Sequence, residues 1–258
     1  MNYLIVFNNF MVFISFVVNI LFLIPFIYSI YKYFTQKRYI KKVLDYNKNE
    51  PVQIYQSTYT FSSVEGYIYD YITYNSLECM DNILSVFNII NQKFSFTTQI
   101  DNACNEICIG GFLPNKRVNS YFVKYFNNFK FYADEKFKEP YEKCPINTQI
   151  IIYSKNKFGF KINENIFLET KHNKIDYAFL IKLTPDDFNN ECKKTVHILF
   201  GGRAISTVKA TEYLRTQYKE IYKKYKSNHY FFAIEINLID NSFNHKKGII
   251  DLTKEMFS

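Results

Sequence analysis

The amino-acid sequence predicts an α/β fold in which one N-terminal transmembrane helix precedes a domain of two similar half-modules with a small β-meander between them. Three observations predict it. An uncharged apolar run opens the chain, two apolar strand-like runs each end in a glycine pair and lead into an amphipathic helix, and short β-rich segments with polar turns lie between. The 258 residues, 48% hydrophobic and 22% charged, supply enough apolar surface for a substantial core and exclude a largely disordered chain.

The opening run, FMVFISFVVNILFLIPFIYSI from Phe10 to Ile30, is 21 residues long and carries no charge. A helix rises about 1.5 Å per residue, so this length matches the roughly 30 Å hydrocarbon layer of a bilayer. Asn19 and Pro25 are tolerable interruptions, since one amide costs less than a charge and neighbouring groups compensate a proline kink. Tyr28, Tyr31 and Tyr33 sit at its end, where aromatic rings favour the interface, and Lys32, Lys37, Arg38, Lys41 and Lys42 fall among and after them. The positive-inside rule places the N-terminus outside and the rest of the chain in the cytoplasm, as a single-pass protein of the cell membrane. A cleaved signal peptide and a buried core helix are the competing readings, but the basic start, shorter apolar core and small-residue cleavage site that the signal peptide needs are absent. The anchor is assigned to 1–34 and a basic juxtamembrane linker to 35–56; its cations set topology or, in a sharper reading, recruit anionic lipid.

Those five cations account for much of the net charge of +8, because the first 42 residues hold no acid and the remainder carries 27 cations against 24 acids. Basicity confined beside an apolar segment does not coat a domain, so no nucleic-acid polymer is expected as a partner. Cys79, Cys104, Cys108, Cys144 and Cys192 all follow the anchor, and an odd count without a dense framework suits a reducing compartment. No second Cys or His pair stands at zinc-finger spacing from Cys104 and Cys108, and His172, His197, His229 and His245 are dispersed, so no metal is expected.

The α/β domain is assigned to 57–258, with half-modules at about 57–134 and 177–258 and a β insert at about 145–172. From Glu78 to Ile90, Met80, Ile83, Leu84, Phe87 and Ile90 recur at helical spacing. EICIGG then reads as a strand closed by Gly110-Gly111, and FLPNKRVNSYFVKYF as a loop and a helix with Val118, Tyr121, Phe122 and Tyr125 on one side. Gln149 to Thr170 contains β-rich runs broken by KNK and NEN, as in an antiparallel meander. DYAFLIKLTPDD is a strand ending at Thr184-Pro185, since proline cannot extend a central ladder. TVHILFGG repeats the strand and glycine pair, now Gly201-Gly202. RAISTVKATEYLRTQYKEIYKKY supplies one long helix with Ala210, Tyr213, Leu214, Tyr218, Ile221 and Tyr225 on its inner face, and HYFFAIEINLID follows as a strand.

A glycine pair at the end of a parallel strand lets the backbone turn sharply and approach a ligand, while the next helix offers unpaired N–H groups and a positive dipole end. Phosphate or carboxylate is the expected guest. Gly110, Gly111, Gly201 and Gly202 form the two loops, Asn115 adds an amide, Ser206 and Thr207 add hydroxyls, and Arg117 and Arg203 add counter-charge. The pattern is neither a full GxGxxG fingerprint nor a GxxxxGK[ST] loop. A second reading stays open for each pair, in which the glycines merely permit tight strand-to-helix packing.

EICIGGFLPN, followed by DYAFLIKLTPDDFN and then TVHILFGGRAISTVKATEYL, resembles a poorly characterised group of prokaryotic domains with an apolar GGPxxN loop, a DYGLI-type strand and a second glycine loop with a Gly-Thr step. The resemblance covers about residues 75 to 237 and implies a Rossmann-like domain acting as a nucleotide-type sensor in signalling or defence. Phe112 replaces the group's proline, and Ser206-Thr207 its Gly-Thr step. The resulting expectation is a membrane-anchored ligand sensor, held in the lipid bilayer through residues 10–30, that binds a nucleotide-like small molecule and can self-associate.

The alternative is a tethered nucleotide-processing hydrolase or glycosidase. Glu78, Asp81, Asp176 and Glu235 lie at or near element ends and are its candidate acids, although nothing in the sequence pairs them. Cys104 and Cys108 lack the neighbouring His that would activate a nucleophile. The pattern identifies no catalytic residue and no cofactor.

Overall fold

The apolar run and the basic run after it form one helix, α1 (Asn2–Leu44), 43 residues long. Its stretch from Met11 to Leu44 is long and apolar enough to cross a membrane. The computed structural model describes residues 2–46, 50–57, 59–62, 68–71, 74–97, 104–111, 115–135, 150–188, 193–244 and 247–257. The stretch expected as a juxtamembrane linker is different in kind: residues 35–44 continue α1, and Val52–Gln56 is already strand β1. Ile40, Val43 and Leu44 recur at helical spacing and are almost fully buried in the domain core, while Arg38 is exposed and Lys37, Lys41 and Lys42 are half-buried around them. Apolar burial therefore locks the end of α1 into the domain, whose core already includes residues before 57.

The main sheet has eight strands in the order β13-β12-β10-β11-β5-β1-β4, with β14 also on β12. Four of them, β4 (Phe94–Phe96), β1, β5 (Glu106–Ile109) and β11 (Val196–Gly201), run parallel. β10 (Ile175–Leu183) pairs antiparallel with β11 and with β12 (Tyr230–Asn237). The short strands β13 (Ser242–Phe243) and β14 (Ile249–Asp251) pair antiparallel with β12. The two expected half-modules thus differ in topology, since the first contributes parallel strands and the second joins its parallel strand β11 to an antiparallel pair.

Side chains alternate across this sheet, and both faces are covered. Ala178, Leu180 and Leu199 point to one face, packed by the end of α1, α2 (Tyr74–Ile90), α4 (Ala204–Thr216) and α5 (Tyr218–Tyr225). Phe179, Ile181, Ile198 and Phe200 point to the other, packed by α3 (Lys116–Tyr125), a second small sheet and α6 (Thr253–Met256). The long helix expected after Gly202 is two helices, divided at Gln217, whose φ of −107° and ψ of 19° leave the helical region. The expected meander is a four-stranded sheet, β7-β6-β8-β9, made of β6 (Lys130–Asp134), β7 (Ile151–Ser154), β8 (Gly159–Lys161) and β9 (Phe167–Glu169). It begins in the first half-module, and β6 pairs parallel with β7. A separate hairpin joins β2 (Tyr59–Ser62) and β3 (Ile68–Tyr71).

Candidate functional site

β5 and β11 are adjacent and parallel, so the two glycine pairs that follow them lie at one end of the sheet, with the Gly110 N–H donating to the Leu199 carbonyl at 2.9 Å. From that end the chain leaves β5 for α3 on one face and leaves β11 for α4 on the other. Neighbouring parallel strands whose connections part to opposite faces open a crevice at their carboxyl ends, the usual ligand position in α/β sheets. Phe112, Leu113 and Pro114, part of the first loop, lie outside the described residues.

The glycines at this end are pressed by the protein's own side chains. Gly110 has φ of +105°, and a Cβ there would lie 1.8 Å from the Ser57 Oγ. A Cβ on Gly201 would lie 2.4 Å from the Cβ of Ser206, and one on Gly202 would lie 2.3 Å from Asp176 Oδ1. Tight packing therefore accounts for the absence of a side chain at these three positions, whatever else the loops do.

The predicted polar residues separate into two groups. Asn115 is spent on the fold: its Oδ1 accepts from the backbone N–H groups of Arg117 and Val118, capping α3, and its Nδ2 donates to the carbonyls of Tyr55 and Ile109. Arg117 is committed to the fully buried Glu106, donating through Nε at 2.7 Å and through Nη2. Tyr121 and Lys194 also donate to Glu106, at 2.8 and 2.7 Å. Burial works to lower the Arg117 pKa, but its hydrogen bonds to Glu106 prevail and raise it. The counter-charge expected from Arg117 is thus already committed within a closed cluster.

At the second loop the Ser206 hydroxyl donates to Asp176 Oδ2 at 2.5 Å, and Thr207 Oγ1 accepts from the Gly201 N–H at 3.0 Å. Gly202 and Arg203 are exposed, and the Arg203 guanidinium donates to Asn173 Oδ1 at 3.1 Å. Burial raises the Asp176 pKa, against hydrogen bonding from Ser206 and the attraction of Arg203. Beside Asn173, a cleft of about 500 Å³ is lined by Lys174, Glu235, Asn237, Ser242, Phe243 and Asn244. Glu235 accepts there from Asn244 Nδ2 at 2.7 Å and from Lys247, so its charge is countered. Although burial opposes it, these bonds hold the Glu235 carboxyl below its ordinary value.

Of the candidate acids, Asp176 and Glu235 reach this end of the sheet, whereas Glu78 and Asp81 are exposed on α2. The Cys79 thiol is pushed up to about 12 by burial, and that of Cys108 is also raised by burial, which keeps both protonated. Among the described residues no three His, Cys, Asp or Glu side chains form a metal-sized cluster. Sequence reasoning missed Ser57 and Glu106. Glu106 was signalled by a single acid opening an apolar strand, while Ser57 carried no local signal because its role arises across strands. Comparison with protein-family models, curated proteins and solved structures found no match to this chain.

Proposed function

We propose that this protein is a single-pass membrane-anchored sensor whose cytoplasmic, Rossmann-like domain binds a nucleotide or another phosphorylated small molecule at the carboxyl ends of β5 and β11. One observation carries the reading: the two glycine loops end neighbouring parallel strands whose helices part to opposite faces. The anionic end of the ligand belongs at Arg203, Lys174 and the first turn of α4, because Arg203 is exposed and its bond to Asn173 sets it beside Lys174. Asn237 and Asn244 in the adjoining cleft supply the amides that a base or sugar needs. Asn115 is spent on capping α3 and Arg117 on Glu106, so Arg203 takes the direct role that the sequence suggested for both arginines. Orientation follows from the cations after the apolar span, which favour the cytoplasmic side.

The test is thermal unfolding of the full chain in lipid nanodiscs with nucleoside mono-, di- and triphosphates, cyclic nucleotides and sugar phosphates. At least one raises the midpoint, and Arg203→Ala abolishes the shift while leaving the unliganded midpoint unchanged. No stabilisation across the panel would defeat the reading. The hydrolase or glycosidase alternative rests on the Asp176–Ser206 pair behind Gly202. It requires turnover of a nucleotide by the full chain that disappears in Asp176→Asn.

A further inference from the structure

The end of α1 and the domain meet close to where the apolar span stops. Tyr33 is three residues past Ile30, and its hydroxyl donates to the Ile89 carbonyl in the last turn of α2 at 3.3 Å. Three helical residues advance about 4.5 Å, and each headgroup layer of a bilayer is about 5–7 Å thick. Given the reading of α1 as a membrane span, on which this inference rests, the end of α2 lies within reach of the headgroups.

The next element is β4, at the edge of the sheet among the described residues, and all three of its residues, Phe94, Ser95 and Phe96, are exposed. Phe94 is 38% and Phe96 57% exposed, with their rings 5.7 Å apart. Edge strands facing water are ordinarily blunted by charge or proline, and two adjacent phenylalanines do the reverse. Between α1 and the end of α2 lies a cleft of about 350 Å³ lined by Lys37, Lys41, Tyr46, Asn91 and Gln92, with Asp45 also facing it. The Asp45 carboxylate is 3.5 Å from the Lys182 ammonium, so the two cleft lysines are not cancelled by it. Lys93, exposed, precedes the two rings.

We propose that this corner rests on the bilayer, with Phe94 and Phe96 in the headgroup layer and Lys37 and Lys93 against anionic phospholipid headgroups. Aromatic rings favour that depth, and basic side chains are attracted to an anionic leaflet. The domain is then held in one orientation, with its glycine loops facing away from the membrane.

The chain has no tryptophan, so single substitutions report directly on their surroundings. Phe96→Trp, Tyr31→Trp and Ala204→Trp are each placed in the full chain and reconstituted in nanodiscs containing phosphatidylglycerol, with or without lipids brominated near the headgroup. The expected result is strong quenching for Tyr31→Trp and Phe96→Trp and none for Ala204→Trp. In the Phe96→Trp background, Lys37→Gln and Lys93→Gln each lower the docked-to-undocked ratio about fivefold, and replacing phosphatidylglycerol by phosphatidylcholine acts the same way. Quenching of Tyr31→Trp without quenching of Phe96→Trp overturns the docking while leaving the anchor intact. Absence of quenching for Tyr31→Trp overturns both. Quenching of Phe96→Trp that ignores the lysines and the lipid charge overturns the headgroup contact.

Discussion

Glu106 shows how one side chain fixes the use of several others. It lies fully buried at the start of β5 and gathers Arg117, Lys194 and Tyr121, so two cations, one of them expected as a ligand counter-charge, are part of the interior. Glu106→Gln leaves both cations buried without their counter-charge, and the expected loss is about 3–5 kcal/mol of unfolding free energy, measured by chemical denaturation. Adding Lys194→Met should recover part of that loss, because one of the stranded charges goes. Gly110→Ala should also destabilise, through its positive φ and the Ser57 contact together. Ser57→Gly in the same chain relieves the contact alone, so recovery of the melting temperature should be partial. Asp176 gives a pH signature. Its folded pKa is raised above the ordinary value of 3.8 by burial, so between the two values the native state holds more proton than the unfolded state. Its contribution to stability is present below 3.8 and is lost as pH rises through the folded value. Asp176→Asn should therefore flatten the fall in stability over that window, as read from denaturation midpoints across the pH series.

At the scale of elements, α1 is an exposed apolar helix over one part and a core helix over the other. Residues 11–34 are exposed for almost their whole length, whereas the turns carrying Ile40, Val43 and Leu44 are buried against α2 and α5. Tyr39 meets Tyr222 edge-on at 5.4 Å, and Lys42 Nζ donates to the Tyr222 hydroxyl at 3.1 Å. Ile40→Ala should cost about 2–5 kcal/mol by leaving a cavity in the core. A chain starting at residue 35 should fold to a monomeric, cooperatively melting species, whereas one starting at residue 47 should aggregate, because it exposes the apolar surface that α1 covers. Size-exclusion chromatography separates the two outcomes.

At the scale of the molecule, the end of α1 and the candidate ligand side are opposite ends of one sheet. The chain after α1 is tied to strand beginnings: Tyr46 donates to the Glu106 carbonyl at 3.1 Å, and Thr195 donates to the Asp45 carbonyl at 3.3 Å. The glycine loops lie at the ends of those strands, about 13 Å away for a four-residue strand such as β5. Because α1 is continuous through residue 44, it carries the domain as a rigid extension. Three glycines inserted after Phe34 should break that rod, freeing the domain from the lipid and removing the quenching of Phe96→Trp without moving its unfolding midpoint.

The sequence by itself determined the long apolar helix, the glycine-terminated strands and the helical character of the segments that follow them, because each is written in local periodicity: an uncharged run, an apolar strand stopped by glycines, or an inward face at helical spacing. It also named most of the residues at the carboxyl end of the sheet. Tertiary structure alone decided that β5 and β11 are neighbours, that β10 and β12 run antiparallel, and that Arg117 serves Glu106 while Arg203 stays in solvent. These outcomes depend on which strands pair and which face each helix covers, and pairing partners are distant in sequence. The same reason hid the buried end of α1, where the cations around them masked the apolar spacing of Ile40, Val43 and Leu44 until a core was present to receive it.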